Sequence, residues 1–599
     1  MIRVADYVFK TLVDYGIRHV FMVVGGGAMY LNDAIGRNKR IKYICNHHEQ
    51  ACTMAAEGYA RVTGKIGVAC VTTGPGGINA LNGVYGAWTD SIPMLIISGQ
   101  VKKETCICCY DLPGLRQLGD QETDIISLAK EITKYAVLVE QPYSIRYHLE
   151  KALFLSTSGR PGPCWLDVPI DVQSSIIDVS RLSGYNPAED SPTYDMQLLA
   201  KQCEETIRRI RSSSRPVIMV GTGIRLAGAL DIFETVIRKL GIPVTTAWTA
   251  HDMMPSDDPF YCGRPGTVGG RAGNFTVQNS DTLLVIGCRL NIRQVSYNWK
   301  AFAPRAFKIQ VDVDQAELEK PTVKPDLPIC CDAKLFLEEM NRQLNGFDST
   351  HHSGWLSRCK ERVRLYPVVL PKHRVKKDGV VNPYHFIDVL FKQLSNDDVV
   401  VCGNGSASVI SFQVAQIKKG LRMFCNSGNA SMGYGLPASI GAAVARGGKR
   451  VICLAGDGSI QMNIQELQTI VHHQLPVKIF VLNNRGYLSI RITQKTFFKG
   501  DMMGCGPESG VSFPDMLRIG QAYGITSMRI DQHDFIEQIN TVLNTPGPVL
   551  CEVVLDPDQF FEPKLSSRRL EDGSIVSPQL EDMSPFLDKE ELLSNLLIS

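Results

Sequence analysis

The sequence has no uninterrupted apolar run of membrane-spanning length, so nothing in it reads as a bilayer helix. It has no excess of either charge. Its 63 Lys and Arg against 61 Asp and Glu leave a formal net charge of +2, which provides no basic footprint for nucleic acid. The first residues, from Met1 to Asp6, lack a secretory pattern and lead into an amphipathic helix, so a cytoplasmic protein is expected. No His/Cys group accompanies Cys106, Cys108 and Cys109, whose spacing alone would suit a metal, so zinc is not expected there. The 18 cysteines are read as reduced. Most lie in apolar runs, as do Cys70, Cys288, Cys453 and Cys551, where cysteine acts as a small hydrophobe.

At 599 residues the chain is long enough for about three domains. Polar, turn-rich breaks fall at 183–196, 345–352 and 371–383. They divide it into blocks 1–182, 197–345 and 365–562, followed by a tail, 563–599. Each block alternates short β-branched runs with longer helical patterns, the sign of a parallel sheet with helices on both faces. The fold expectation is therefore α/β, with three doubly wound parallel-sheet domains. In the middle block, strands are expected at 217–220, 282–287 and 308–313. Its glycine turns, 221–223 and 263–273, could take a dinucleotide, although a GxG after a strand is weak evidence alone.

Two motifs carry chemistry. In the last block an apolar run, 451–455, ends in Gly456-Asp457-Gly458-Ser459, and a second, 477–482, ends in Asn483-Asn484. Read as strand, glycine turn, helix and strand, this delivers a carboxylate and a carboxamide to one sheet edge, where open α/β sheets bind ligands. Asp457 and the Asn484 side-chain oxygen are hard ligands suited to Mg²⁺, which commonly shares its shell with phosphates. Gly458 and Ser459, opening the expected helix, offer N–H groups to an anion. In the first block His48-Glu49-Gln50 precedes a helical run, 51–61, then a strand, 68–72, and the turn Gly74-Pro75-Gly76-Gly77. A Glu at a helix start is ordinarily a dipole-compensating cap. Glu49 also sits between an apolar strand end and an apolar helix, so the residues alone leave a cap and a proton-sharing carboxyl both open.

These motifs resemble those of the thiamine diphosphate (ThDP)-dependent acetohydroxyacid (acetolactate) synthase family. The resemblance runs from about residue 3 to about residue 565. Further anchors are Gly25-Gly26-Gly27, Ala56-Glu57-Gly58-Tyr59-Ala60-Arg61, Asp90-Ser91-Ile92-Pro93, Gly159-Arg160-Pro161-Gly162-Pro163 and Met432-Gly433-Tyr434-Gly435-Leu436-Pro437. The resemblance implies pyrimidine-binding, central and diphosphate-binding domains of the ThDP-enzyme type. It implies ThDP held by Gly25, Gly26, Glu49, Gly405, Ser406, Met432, Gly456, Asp457, Gly458, Ser459, Asn484, Gly486 and Tyr487. Mg²⁺ would rest on Asp457, Asn484 and Gly486. Glu49 would share a proton with N1′ of the aminopyrimidine and so promote loss of the thiazolium C2 proton. Met432 would hold the two rings in a bent conformation. The active site would span the interface of a homodimer or homotetramer.

The same resemblance implies decarboxylation of a 2-oxo acid, pyruvate first, and transfer of the acyl group to a second carbonyl. Gln121 matches a residue near the reacting carbon, but its neighbour Asp120 replaces an aromatic. Gln494 stands near the position of a Trp that selects the second keto acid, and Ser406-Ala407 replaces a Gln-His pair. These departures, with Asp120 and Gln494 as expected substrate residues, leave open transfer to a polar, sugar-like ketone. A simple decarboxylase and a non-catalytic homologue are the other readings. FAD is a further cofactor open to the central block, whose Arg289 and Arg293 match the family while the residues between them do not. The tail is read as a lid or, with preference, as a strap on a neighbouring subunit, anchored by Pro585-Phe586-Leu587 and the apolar run 592–598.

Overall fold

The computed structural model describes residues 1–498, 501–532, 534–569 and 572–597. Three parallel sheets follow one another along the chain. The first contains β1 (His19–Met22), β2 (Lys42–Cys45), β3 (Gly67–Val71), β4 (Met94–Gln100), β5 (Tyr135–Leu138) and β6 (Pro163–Pro169). Its spatial order is β2-β1-β3-β4-β6-β5. The central sheet contains β7 (Pro216–Val220), β8 (Val244–Thr246), β9 (Thr282–Ile286), β10 (Phe307–Asp312) and β11 (Leu327–Cys330), in the order β8-β7-β9-β10-β11. The last contains β12 (Val399–Cys402), β13 (Arg422–Phe424), β14 (Val451–Gly456), β15 (Val477–Asn483), β16 (Thr526–Ile530) and β17 (Val549–Val554). Its order, β13-β12-β14-β15-β17-β16, repeats that of the first sheet. The expected three α/β units are what the chain forms.

The strands read as they do because they are covered on both faces. β12 is Val-Val-Val-Cys and β6 spans seven residues, and every residue of both is buried. Continuous apolar runs of this kind belong to parallel sheets sandwiched between helices. In each sheet the first and third strands are neighbours, so the chain leaves them in opposite directions. That divergence opens a crevice at the carboxyl ends of the strands. Three such crevices exist, at β1/β3, β7/β9 and β12/β14.

The first and last units pack together through α1 (Glu49–Thr63) and α5 (Gly435–Ala445). Glycines make this possible. A Cβ on Gly441 would stand 1.8 Å from the Ala55 carbonyl oxygen, and one on Gly58 would stand 2.2 Å from that of Ala438. Met54 and Ala55 thereby share one continuous core with Leu436 and Ile440. Glu466 extends the contact by accepting from Asn46 Nδ2 (2.8 Å) and from the His47 amide (2.9 Å). The central unit is tied to both. Arg160 Nη1 reaches Asp314 (2.8 Å) and Glu317 (3.0 Å), and Arg264 donates to the carbonyls of Phe412 (2.8 Å) and Ala415 (2.7 Å).

The tail packs along α3 (Arg271–Gln278), in the central unit of its own chain. Asn274 Nδ2 donates to the Leu580 carbonyl (2.7 Å), Gln278 Nε2 to Glu581 (2.7 Å) and Asn279 Nδ2 to the Asn595 carbonyl (2.9 Å). Of the expected apolar anchors, Leu597 packs against the central unit's core and Phe586 is exposed, while Leu580 and Met583 are buried. Amide side chains on and just after α3 donate to the strap's carbonyls and to the Glu581 carboxylate, a complementarity with no signature in hydrophobic pattern. Ile598, within the expected apolar run, lies outside the described residues. Among the described residues no helix is long and apolar enough to cross a membrane.

Candidate active site

The crevice at β12/β14 gathers the C-terminal motif. Gly456 ends β14 and Asp457 follows, 3% exposed. Its Oδ1 accepts from the Gly458 amide (3.0 Å) and its Oδ2 from the Gly486 amide (2.9 Å). Burial pushes this carboxyl up to about 7 against those two amides, which favour the charged form. Asn484 follows β15. Its Nδ2 donates to Ser406 Oγ at 3.1 Å, and its Oδ1 is buried without a partner. Arg491 Nη2 holds the Asn484 carbonyl (2.9 Å), a support that sequence reading missed. Gly405 turns the chain into α4 (Ser406–Val414) with φ +63°, a left-handed conformation that glycine adopts without strain.

One local expectation is corrected here. Gly458 and Ser459 do not open an α-helix. A 3-10 turn, Ile460–Asn463, comes first, and the helix proper is Glu466–His472. The early turn is held in place by side chains. Ser459 Oγ accepts from the Gly433 amide (3.0 Å), and Asn463 Nδ2 donates to the Gly433 carbonyl (3.1 Å). The loop carrying Met432 is thus fastened beside Asp457. Gly458 is required by crowding: a Cβ there would lie 2.3 Å from the Tyr487 ring and 2.8 Å from Phe513.

The crevice at β1/β3 gathers the N-terminal motif. Gly25 lies against Thr72, where a Cβ would meet the Thr72 side chain at 2.4 Å. Thr72 Oγ1 is buried without a partner, a polar atom that sequence reading did not single out. His48 caps α1, its ring nitrogen accepting from the Gln50 amide (3.1 Å). Glu49, the first residue of α1, is half-buried and accepts from Asn79 Nδ2 at 3.0 Å. Asn79 belongs to α2 (Pro75–Asp90), whose first turn contains the expected glycine turn. Among the described residues no hydrogen bond joins Glu49 to Asp457 or Asn484 within the chain.

The third crevice, at β7/β9, opens on a cavity of about 280 Å³ lined by Gly221, Gly223, Gly287, Arg289 and Asp312. Burial raises the Asp312 carboxyl to about 6. A second cavity, of about 390 Å³, lies between the central and last units and borders Gly403, Asn404 and Gly405. Ser489 and Thr493 of α6 (Leu488–Phe497) line it, and so do Arg293 and Lys564. The structure brings Thr493 to this cavity in place of Gln494. The Gln494 amide instead bridges Met503, donating to its carbonyl (2.9 Å) and accepting from its amide (2.8 Å). Asp120 is exposed, and Gln121 is exposed in a left-handed conformation, φ +62°.

Two sheets of identical strand order, with glycine loops at their crevices and a buried Asp beside a buried Asn whose own amide oxygen is unpartnered, match the thiamine-pyrophosphate class of enzyme. Family models agree along the chain. "Thiamine pyrophosphate enzyme, N-terminal TPP binding domain" matches residues 2–125, the corresponding central domain matches 203–340, and the C-terminal TPP binding domain matches 403–553. The chain belongs to this family, in its acetolactate synthase-like branch. It is 33% identical over 580 residues to the chloroplastic acetolactate synthase of Arabidopsis thaliana, covering 94% of this chain and 83% of that protein. It is 32% identical over 578 residues to acetolactate synthase 1 of Zea mays, covering 94% and 87%. The resemblance read from the motifs is borne out.

Proposed function

We propose that the protein decarboxylates a 2-oxo acid, pyruvate first, and joins the acyl carbon to a second carbonyl as in acetolactate synthesis. The observation that carries this reading is the unpartnered, buried Asn484 Oδ1 beside the buried Asp457 carboxylate. Two hard oxygen donors, neither of them ion-paired among the described residues, fit a divalent metal, and Mg²⁺ suits both the donors and a diphosphate. Asp457, Asn484 and Gly486 would hold the metal, and the Gly405–Ser406 turn and Gly458 would face the diphosphate. Gly25, Gly26, Met432, Ser459 and Tyr487 complete the proposed cofactor contacts.

Bound ThDP supplies the nucleophilic carbon and the electron sink for loss of CO₂. The chain supplies orientation and proton control. Glu49, tethered by Asn79, is the group proposed to exchange a proton with the aminopyrimidine. Its half-buried position in the single chain fits a pocket completed by a second subunit in a homodimer or homotetramer. Gln121 is proposed near the reacting carbon and Asp120 near the second substrate, with Thr493 in the place expected for Gln494. FAD is proposed for the central cavity, where Asp312 offers a carboxylate to ribose hydroxyls as doubly wound dinucleotide sites do.

The test is incubation of the full-length protein with ThDP, Mg²⁺ and pyruvate, with chromatography of the products. Acetolactate with CO₂ is the expected result. Acetaldehyde alone would assign a decarboxylase. A second reading, transfer to a hydroxylated ketone, is supported by the hydroxyl and amide side chains that line the cavity next to the Gly405 loop.

A further inference from the structure

The cavity beside the Gly405 loop has an unbalanced charge. Arg293 and Lys564 both line it, and no Asp or Glu does. Arg293 lies over the face of Trp248, 5.1 Å from the ring centroid to its guanidinium carbon. Neither basic side chain has an ion-pair partner among the described residues. Their neighbours behave differently: Lys372 reaches Glu562 at 2.8 Å and Lys377 reaches Asp556 at 2.5 Å. Burial lowers the pKa of both Arg293 and Lys564, the mark of cations partly removed from water without compensation.

Lys564 is held in place by its backbone. Gln413 Nε2 donates to the Pro563 carbonyl (2.7 Å). The Lys564 amide donates to the Ser584 carbonyl (2.9 Å), and the Ser584 amide returns a bond to the Lys564 carbonyl (2.7 Å). The Leu565 amide donates to the Thr267 carbonyl (2.7 Å). Three successive residues are therefore fastened to the last unit, to the strap's own return and to the central unit. The strap's entry is a rigid mount for one lysine.

We infer that Lys564 and Arg293 form a subsite for a phosphate-bearing, hydroxylated carbonyl acceptor. A monocarboxylate acceptor brings one negative charge, which one cation matches. A phosphate ester brings ~1.5–2 charges at neutral pH and three strong acceptor oxygens, which two desolvated cations match. Asn404, Ser489 and Thr493 add donors and acceptors for hydroxyl groups. The inference deepens the carboligase reading and relies on it only for the name "acceptor". It also assigns the strap a purpose, the delivery of Lys564.

The experiment uses the full-length protein loaded with ThDP and Mg²⁺, and two probes, dihydroxyacetone phosphate and uncharged dihydroxyacetone. Binding is measured by calorimetry without pyruvate, and acceptor KM is measured with pyruvate as donor. The wild type is expected to bind the phosphate ester at least tenfold more tightly than the neutral ketone. Lys564→Met should remove most of that difference and leave neutral-ketone binding within twofold, while Lys564→Arg should keep most of it. Equal binding of the two ketones by the wild type overturns the subsite, whether or not the Met variant folds. Unchanged phosphate-ester affinity in a folded Lys564→Met protein overturns the role of the lysine. Because the calorimetry needs no turnover, phosphate-selective binding without CO₂ release would sink the carboligase reading and leave the subsite standing.

Discussion

Asn484, after β15, and Ser406, after β12, are joined Nδ2 to Oγ at 3.1 Å, and this bond fixes which end of the Asn484 amide is left over. With Nδ2 engaged, Oδ1 is the free atom, and an oxygen is what a hard cation requires. Ser406 thus acts on the proposed metal through Asn484. Ser406→Ala should weaken Mg²⁺-dependent ThDP binding by about tenfold or more, as loss of a supporting hydrogen bond does at metal sites. Titration of ThDP at fixed Mg²⁺ measures it. Wild-type affinity in the variant would remove Ser406 from the account.

Glu49→Gln separates binding from chemistry. The amide preserves shape and can still pair with Asn79, but it cannot share a proton with a ring nitrogen. ThDP should remain bound while hydrogen–deuterium exchange at C2 of the cofactor slows on the order of 10²-fold. Exchange at the wild-type rate would show that another group activates the cofactor.

Gly441 tests the packing of the first unit on the last. A Cβ there would stand 1.8 Å from a backbone oxygen, which cannot rotate away. Gly441→Ala should cost about 3 kcal/mol by overpacking, with the loss read in denaturant unfolding. Gly448→Ala is a different case, because its φ of +83° strains a side chain although nothing lies within 4 Å of the added carbon. It should cost only about 1 kcal/mol. A Gly441→Ala protein as stable as the wild type would mean that α1 and α5 stand further apart.

The strap's entry should be acid-sensitive. Glu562 is half-buried, which by itself raises a carboxyl pKa, but hydrogen bonds from His373 (2.6 Å), Lys372 (2.8 Å) and Gln559 (2.9 Å) outweigh burial and lower it to about 2. A carboxyl depressed in the folded state contributes stability that is fully present above its unfolded pKa, near 4.5, and is lost as the pH falls towards 2. Glu562→Gln should therefore lose on the order of 1–3 kcal/mol at neutral pH, with the gap to wild type closing below pH 4.5. Thermal unfolding from pH 6 to pH 3 measures this. A gap that does not change with pH would mean that the ionised carboxylate contributes nothing.

The strands that carry the motifs were legible because they are buried on both faces. The expected runs 451–455 and 477–482 lie one residue short of Val451–Gly456 and Val477–Asn483. Asp457 and Asn484 could be singled out because each directly follows an apolar strand, and Glu49, in the place of an ordinary helix cap, only because the C-terminal motif points to the same cofactor. What escaped depends on partners distant in sequence. Thr493 and Gln494 differ by one position on α6, and only packing decides which faces the cavity. The strap is held by amides on and just after α3 that bond its carbonyls and the Glu581 carboxylate, and Gly58 and Gly441 matter only because two helices some 380 residues apart touch. Those relationships are set by tertiary contact, which a local pattern does not encode.

The central claim is that Asp457 and Asn484 anchor the cofactor through a metal, and calorimetric titration of ThDP with Mg²⁺ tests it most directly. Wild type and Asp457→Ala are compared at the same protein and Mg²⁺ concentrations. The account predicts saturable, Mg²⁺-dependent binding in the wild type and none detectable in the variant, with thermal unfolding in the absence of cofactor confirming that the variant is folded. Wild-type ThDP affinity in a folded Asp457→Ala protein would contradict it.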